Sequence, residues 1–202
     1  VCFFRLDRVG RAIMVALFGI ASVFLIYLVG KEFFNRYAGL FAAALYAVSP
    51  LVVAYSRSSW NPNPLPFFSL LATLFAYKGV EKASLKYFIL SGIMLGVALQ
   101  LHYIATFLAV VIAVYIFFAR SHLMQGETFI KNYGAIFCGF FIGYSPFLAF
   151  EVTHGFPNTI AVTRFIFGGT GETGFTGERF VAIVSDVSFR LFGRFLTRFP
   201  PL

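Results

Sequence analysis

The fold is decided around a short polar segment, residues 55–64 with the sequence YSRSSWNPNP, which separates two long apolar runs. A lipid bilayer tolerates irregular polar backbone only at its surface, or where protein or water shields it. This segment, called the polar turn below, is therefore either a plain turn at the membrane face or the edge of a site.

The composition of the whole chain is that of a membrane protein. Of its 202 residues, 59% are hydrophobic and 12% are charged, and the mean hydropathy is +0.84. A soluble domain carries about 25% charged residues. The net charge of +8 does not indicate a nucleic-acid partner, because basic residues in the loops of an apolar chain usually set its topology. Cys2 and Cys138 lie too far apart for a disulfide framework or a metal-binding spacing.

Apolar segments of membrane length predict an all-α membrane protein, a polytopic transmembrane helix bundle of about six spans with outer-face amphipathic helices. A span needs about 20 apolar residues. The segments are 12–29, 38–54, 64–77, 85–99, 103–118 and 133–150. As one helix, the run from 85 to 118 would be about 51 Å long, against a hydrocarbon core of about 30 Å. We therefore expect a break at residues 100–103, its only polar cluster.

The character of the sequence changes after residue 150. Residues 1–150 are predicted to form the transmembrane bundle, and residues 151–202 an outer-face loop with interfacial amphipathic helices, truncated at its end. The glycine-rich stretch 168–174 lacks the ending of a phosphate-binding loop and is predicted to be a mobile loop. Residues 179–198 combine an apolar stripe with Arg190, Arg194 and Arg198, a pattern typical of a helix lying in the interface plane.

The distribution of Lys and Arg predicts the orientation of the bundle. If the six segments alternate, seven basic residues fall on one side, namely Lys31, Arg36, Lys78, Lys82, Lys86, Arg120 and Lys131. The opposite connections hold only Arg57, although Arg5, Arg8 and Arg11 before the first segment would share its side. The positive-inside bias places the seven in the cytoplasm, so that the polar turn, residues 100–103 and residues 151–154 share the outer face.

The polar turn holds the first candidate site residues. Asn63 is expected to cap the next helix, with Pro64 in its first turn, so that a positive helix N-terminus faces outward. Arg57 suits a phosphate by bidentate hydrogen bonding. Trp60 can stack on a sugar face or anchor at the headgroups. The alternative is an ordinary interfacial turn, where Trp and Arg are common.

Two further polar clusters lie on the predicted outer face. Gln100, His102 and Tyr103 are suspects because polar groups at membrane depth are often functional, although His102 could equally cap a helix end. Glu151 and His154 end the last segment. With His102 they could ligate a divalent ion, but three scattered ligands are a weak signal, and a solvated turn is the alternative.

Taken in order, these features resemble a known family. The matching stretches are GR at 10–11, ALFG at 16–19, IYLVGKEFF at 26–34, 38–46, SP at 49–50, YSR at 55–57, WNPNPLPFF at 60–68, 92–103 and HGFPNT at 154–159. They resemble the membrane-embedded GT-C glycosyltransferases that use polyprenyl-phosphate sugars, near the protein O-mannosyltransferase and aminoarabinose-transferase branch. The likeness covers residues 8–160.

The resemblance implies inverting transfer of a sugar from a polyprenyl-phosphate carrier to a glycan, lipid or protein acceptor at the outer face. It implies an acidic general base in the first outer loop, which we expect upstream of residue 1. Asp7 is not assigned that role, and the catalytic residues stay unassigned. We therefore expect this chain to be an inactive fragment of a multi-pass protein of a bacterial or archaeal plasma membrane.

On this interpretation, the residues that bind the phosphate or the carrier are Arg57, His102 and Tyr103. The site rim is Trp60, Asn61, Asn63, Gln100, Glu151 and His154. The donor substrate is the lipid-linked sugar, with membrane lipid as the other partner. No cofactor is assigned, and a divalent metal held by His102, Glu151 and His154 is kept as an alternative.

Two alternative functions remain open. The first is a transporter or flippase for a lipid-linked or hydrophobic substrate, and the second is a non-catalytic membrane scaffold. The apolar segments contain no Asp, Glu or Arg, and their single Lys is Lys86, the second residue of the fourth segment; the scarcity of charged residues counts against an ion-coupled transporter.

Overall fold

The computed structural model describes residues 8–58, 60–123, 126–167 and 177–196. Within these ranges the chain is helical and contains no β-strand. In chain order the helices are α1 (Arg8–Phe33), α2 (Arg36–Val48), α3 (Pro50–Ser56), α4 (Leu65–Glu81), α5 (Leu85–Leu101), α6 (Ala105–Leu123), α7 (Gly126–Thr153), α8 (Pro157–Phe167) and α9 (Gly177–Leu196).

Local sequence explains where several of these helices begin and end. The Asn35 side chain caps α2, because its Oδ1 accepts hydrogen bonds from the backbone N–H groups of Tyr37 and Ala38 at 3.0 and 2.9 Å. Pro50 is the first residue of α3, where a missing N–H costs nothing. The predicted segment 38–54 is therefore not one straight helix: α2 and α3 meet at an angle of 63°.

The core lies where α4, α5, α6 and α7 meet. Helices α4 and α5 are antiparallel, and the buried hydroxyl of Ser91 donates a 2.8 Å hydrogen bond to the carbonyl of Ala72 across their contact. Phe88 and Ile116 are completely buried in the same cluster. Helix α1 packs on α2 and α4, so the bundle extends from α2 through α1 to α4, α5 and α7.

Glycines bring α5 and α7 into backbone contact, and the two helices run parallel. Added Cβ atoms at Gly92 and Gly96 would collide with the backbone of α7, and those at Gly139 and Gly143 would collide with the carbonyls of Ile89 and Ile93. Small residues allow this close approach in membrane helix pairs. The predicted packing faces of the fourth and sixth segments therefore contact each other.

The helix directions divide the charges between two ends of the bundle. An ion pair of 3.7 Å between Lys78 and Glu32 joins the carboxyl ends of α4 and α1. The seven basic residues that were predicted to share one side lie at or near this end, by the direction of their helices. The polar turn, the α5–α6 connection and the end of α7 lie at the opposite end, called the polar end below.

The membrane-protein prediction is confirmed, but the number of about six spans is not. Among the described residues, two helical stretches are long and apolar enough to cross a bilayer, Gly10–Phe33 and Ile130–Thr153. The bent pair α2–α3 would make a third span. Helix α5 and residues 105–119 of α6 are apolar but shorter. The predicted break in the run 85–118 is confirmed, because α5 ends at Leu101 and α6 begins at Ala105.

Beyond α7, the structure describes two helices. The amphipathic segment predicted at 179–198 corresponds to α9, whose side chains from Val181 to Val187 are exposed, and α9 contacts α3. Its placement in the membrane interface stays a prediction. The predicted mobile loop at 168–174, together with Arg5, Asp7 and Arg198, lies outside the described residues.

Candidate functional site

An apolar groove runs between α1 and the bent α2–α3 pair and reaches Arg57. Its volume is about 750 Å³. The side chains of its α1 wall are Ala12, Ile13, Ala16, Ile20 and Val23, with Gly19 between them. Because the carboxyl end of α3 is at the polar end, the groove has a charged group at one end and apolar walls along its length.

Arg57 is the cation at the end of this groove. It follows α3 directly, and its backbone N–H bonds the carbonyl of Ala54 at 3.3 Å. Its side chain is exposed. Within the ranges that the structure describes, the guanidinium has neither a hydrogen bond nor an ion pair. No described residue therefore occupies any of its five N–H donors.

The amide of Asn63 fastens the polar turn. Its Nδ2 donates to the carbonyls of Tyr55 and Ser58 at 2.8 and 2.6 Å, and lies 2.9 Å from the hydroxyl of Ser58. The ring of Tyr55 also stacks on Trp60, with centroids 6.1 Å apart. Arg57 is therefore held in a loop whose two sides are joined by hydrogen bonds.

The predicted role of Asn63 as the cap of α4 is wrong. Helix α4 begins at Leu65, and Pro64 occupies the cap position without a side-chain hydrogen bond. The N–H groups of Leu65 and Phe67 bond the carbonyls of Pro62 and Pro64, and Pro66 has no N–H. The start of α4 therefore offers an anion few donors, which leaves Arg57 as the main cationic hydrogen-bond donor among the described residues of the polar turn.

A second, smaller pocket adjoins the groove. Its volume is about 310 Å³, and the side chains that reach it from the polar turn include Tyr55, Trp60 and Asn63. Gly19, Val52 and Ser56 border both spaces. An added Cβ at Gly19 would lie 3.2 Å from the Cβ of Ser56. This glycine therefore permits the close approach of α1 and α3 at the boundary between the groove and the pocket.

His102 and Gln100 make local and inter-helix contacts at the polar end. The Nδ1 of His102 accepts a 3.2 Å hydrogen bond from the backbone N–H of Ile104, which places the proton of the neutral ring on Nε2. Gln100 donates to the carbonyl of Gly143 at 2.6 Å. Tyr103 is exposed and contacts the edge of the His102 ring. The helix-end role proposed for His102 as the alternative is therefore present.

Glu151 has a structural task that the sequence did not indicate. It is only 1% exposed. Its Oε1 accepts from the backbone and side chain of Asn158 at 3.2 and 2.7 Å, and its Oε2 from the backbone and hydroxyl of Thr159 at 2.9 and 2.7 Å. The carboxylate at the end of α7 thus caps the start of α8, where negative charge is favoured.

The turn between α7 and α8 also occupies His154. Its Nδ1 lies 2.9 Å from the carbonyl of Phe150, and its ring stacks on that of Phe150 at 4.2 Å. Gly155 and Phe156 have φ angles of +74° and +60°, and the N–H of Phe156 bonds the carbonyl of Glu151 at 2.8 Å. This is the left-handed geometry that ends many helices at a glycine.

The predicted site residues form two groups at one end of the bundle. The first comprises Arg57, Trp60, Asn61 and Asn63 in the polar turn. The second comprises Gln100, His102, Tyr103, Glu151 and His154. Among the described residues, no hydrogen bond joins one group to the other, and no three His, Cys, Asp or Glu side chains are grouped as metal ligands. The site roles of both groups stay predictions.

The groove itself was missed at the sequence level. Its α1 wall carries Ala12, Ala16 and Gly19, small residues on one helix face that leave room beside α3. Such spacing is visible in the sequence, but it indicates only a packing face. Which helix covers that face, and how completely, depends on the 63° bend after Val48.

The fold and this site define a helical membrane protein with an apolar groove that reaches an arginine at the polar end. A protein family described as "Dolichyl-phosphate-mannose-protein mannosyltransferase" matches residues 3–150, well over half of the chain. The chain belongs to this family of glycosyltransferases and is an integral membrane protein.

One relative and one negative result complete the comparison. The chain is 35% identical over 82 residues to a protein of Bacillus subtilis (strain 168) named "Putative mannosyltransferase YkcB". That match covers 41% of this chain and 12% of YkcB, so the chain corresponds to a small part of that relative. No solved structure matches.

Proposed function

We propose that this chain supplies the donor-binding part of a glycosyltransferase that uses a polyprenyl-phosphate sugar. The observation that carries the proposal is the apolar groove of about 750 Å³ that ends at Arg57. A polyprenyl phosphate has the matching chemistry, since an apolar chain joins a single anionic head. The description of the family and the name of YkcB both indicate mannose as the sugar.

The reaction requires stabilisation of the leaving phosphate. The acceptor hydroxyl attacks C1 of the sugar, the bond between C1 and the phosphate oxygen breaks, and the phosphate leaves with the electron pair. The acceptor proton passes to a general base, and the anomeric centre inverts. A cation beside the leaving oxygen lowers the barrier because its interaction strengthens as charge develops. Arg57 is the described residue that suits this task best.

In this proposal, the second group of predicted site residues, at the α5–α6 connection and the end of α7, faces the acceptor substrate. His102 and Tyr103 contact the carrier head or the acceptor hydroxyl. The acceptor is a glycan, lipid or protein reached from the outer face of a bacterial or archaeal plasma membrane. This orientation agrees with the positive-inside bias of the seven basic residues at the other end of the bundle.

Sugar transfer by the full-length protein in membranes tests the proposal. With polyprenyl-phosphate mannose as donor, Arg57→Ala should lower turnover by about 10²- to 10³-fold, the usual effect of removing a transition-state donor. Arg57→Lys should retain part of the activity because the charge remains. Arg36→Ala is the matched control, an exposed arginine at the opposite end.

Three outcomes would contradict the proposal. Wild-type turnover in Arg57→Ala would show that Arg57 is not part of the site. Wild-type turnover in both Arg57→Ala and His102→Ala would show that the assignment of the phosphate- and carrier-binding residues is wrong. Movement of the intact donor across the membrane without sugar transfer would indicate a flippase instead.

A further inference from the structure

The smaller pocket beside the groove has a different chemistry from the groove. Apart from Ser56 and Arg57, the groove is lined by Gly19 and aliphatic side chains. The smaller pocket, of about 310 Å³, has aliphatic and proline side chains in its lining as well, but it also includes Tyr46, Tyr55, Trp60 and Asn63. It therefore combines aromatic surface with amide and phenol groups that can form hydrogen bonds.

The hydrogen bonds of Asn63 fix which way its amide points. Backbone carbonyls only accept hydrogen bonds, so the atom that faces the carbonyls of Tyr55 and Ser58 must be Nδ2. Oδ1 therefore lies on the other side of the amide, and within the described ranges it accepts no hydrogen bond. A hydroxyl entering the pocket would find an acceptor there.

The position of this pocket relative to Arg57 is the third observation. Ser56, the residue before Arg57, borders both the groove and the pocket. A ligand whose anionic head binds Arg57 and whose apolar chain follows the groove would have its next substituent within reach of this pocket. In a polyprenyl-phosphate sugar, that substituent is the sugar ring.

We propose that the pocket formed by Tyr55, Trp60 and Asn63 binds the sugar ring of the donor. A hexose has an apolar face of C–H groups and a rim of hydroxyls. Aromatic side chains with a polar atom complement both parts, and a few polar groups on an apolar wall fix orientation. This inference rests on the proposed function, because it assigns the sugar of the same donor whose phosphate binds Arg57.

Binding of two ligands that differ only in the sugar tests the subsite. Full-length protein in detergent or nanodiscs is titrated with polyprenyl phosphate and with polyprenyl-phosphate mannose. Trp60→Ala should weaken binding of the mannosylated ligand by about five- to tenfold, and leave binding of the bare carrier within about twofold. Trp60→Phe should retain most of the affinity because it keeps an aromatic face. Phe34→Ala is the control, an exposed aromatic residue at the opposite end.

A second measurement needs no variant at the pocket. Trp60 is the single tryptophan of this 202-residue chain, so its fluorescence in this chain reports the pocket directly. The mannosylated ligand should change the emission of Trp60 more than the bare carrier does. Equal changes with both ligands would overturn the sugar subsite.

The outcomes separate this inference from the proposed function. Suppose that Arg57→Ala lowers the affinity for both ligands, whereas Trp60→Ala lowers both affinities equally or changes neither. The sugar subsite is then wrong, and the carrier site stands. If the wild-type protein binds neither ligand, or if Arg57→Ala changes neither affinity, the proposed function fails, and the subsite fails with it.

Discussion

The side-chain amide of Gln100 donates a 2.6 Å hydrogen bond to the backbone carbonyl of Gly143, and so joins the end of α5 to α7. The same amide lies 3.4 Å from the carbonyl of Gly96 within its own helix. A polar side chain next to the break between α5 and α6 thus bonds the neighbouring helix. This bond explains how a polar residue in the run 85–118 is accommodated.

Removal of this bond should lower the stability of the bundle. Gln100→Leu keeps the side-chain volume but leaves the carbonyl of Gly143 without its inter-helix partner. We expect a loss of about 1 kcal/mol, the usual size of such a bond between membrane helices. Thermal unfolding in detergent measures it, with Asn61→Ala, an exposed polar site, as the control. Equal unfolding midpoints for Gln100→Leu and the wild type would contradict the prediction.

Substitution of the α7 glycines by alanine should lower the stability at some positions and raise it at another. A methyl group at Gly139 or Gly143 collides with backbone carbonyls of α5, whereas at Gly134 it meets nothing within 4 Å. Gly139→Ala and Gly143→Ala should each cost about 1–3 kcal/mol of unfolding free energy. Gly134→Ala should stabilise α7 by about 0.5–1 kcal/mol, because alanine loses less backbone entropy in a helix. Similar shifts at all three positions would show that the parallel α5–α7 contact is wrong.

Glu151 should stabilise the first turn of α8, and it should have no direct effect on turnover. Glu151→Ala removes the acceptor of four hydrogen bonds, and Glu151→Gln keeps one oxygen for two of them. Hydrogen exchange at the backbone amides of Asn158 and Thr159 should therefore accelerate in the order wild type, Gln, Ala. Glu81→Gln, an exposed acid at the opposite end, is the control. Unchanged exchange in Glu151→Ala would exclude the capping role.

The conformation of the polar turn should depend on a single atom of Asn63, the amide nitrogen. Asn63→Asp replaces the donor Nδ2 with an oxygen that faces the carbonyls of Tyr55 and Ser58. Acceptors would then oppose acceptors, and the polar turn should open. We expect a change in the fluorescence of Trp60 and a loss of donor binding similar to that of Arg57→Ala. Asn35→Asp provides the matched control, since the Asn35 side chain lies at the opposite end and only accepts hydrogen bonds, from the N–H groups of Tyr37 and Ala38, which Asp retains. Normal donor binding in Asn63→Asp would contradict this role.

The sequence predicts those parts of the fold that depend on local pattern. The break after Leu101 was predictable because one polar cluster interrupts a run too long for the bilayer. The error at Asn63 has an equally physical cause. Asn before Pro is a common helix start, but here the Nδ2 of Asn63 is bonded to two backbone carbonyls of the polar turn. These bonds fix the orientation of the amide, and only the tertiary structure shows that its Oδ1 does not cap α4.

The remaining features depend on contacts between distant helices. Glu151 caps a helix that begins six residues later, and the left-handed residues between them reverse the chain. The groove requires α3 to turn away from α2 and to contact α1 at Gly19. Neither arrangement produces a periodic pattern in the sequence, so the interior of the candidate site could not be predicted from it.

The bend after Val48 has a consequence for substrate supply. Ile13 and Ile20, on the groove wall, keep 49% and 69% of their surface exposed, so the groove is open along its side in the described part of the chain. On the proposed function, a carrier lipid would enter by lateral diffusion within the leaflet and would not need to leave the bilayer. Occupancy of the enzyme would then follow the mole fraction of the carrier among the membrane lipids rather than any aqueous concentration.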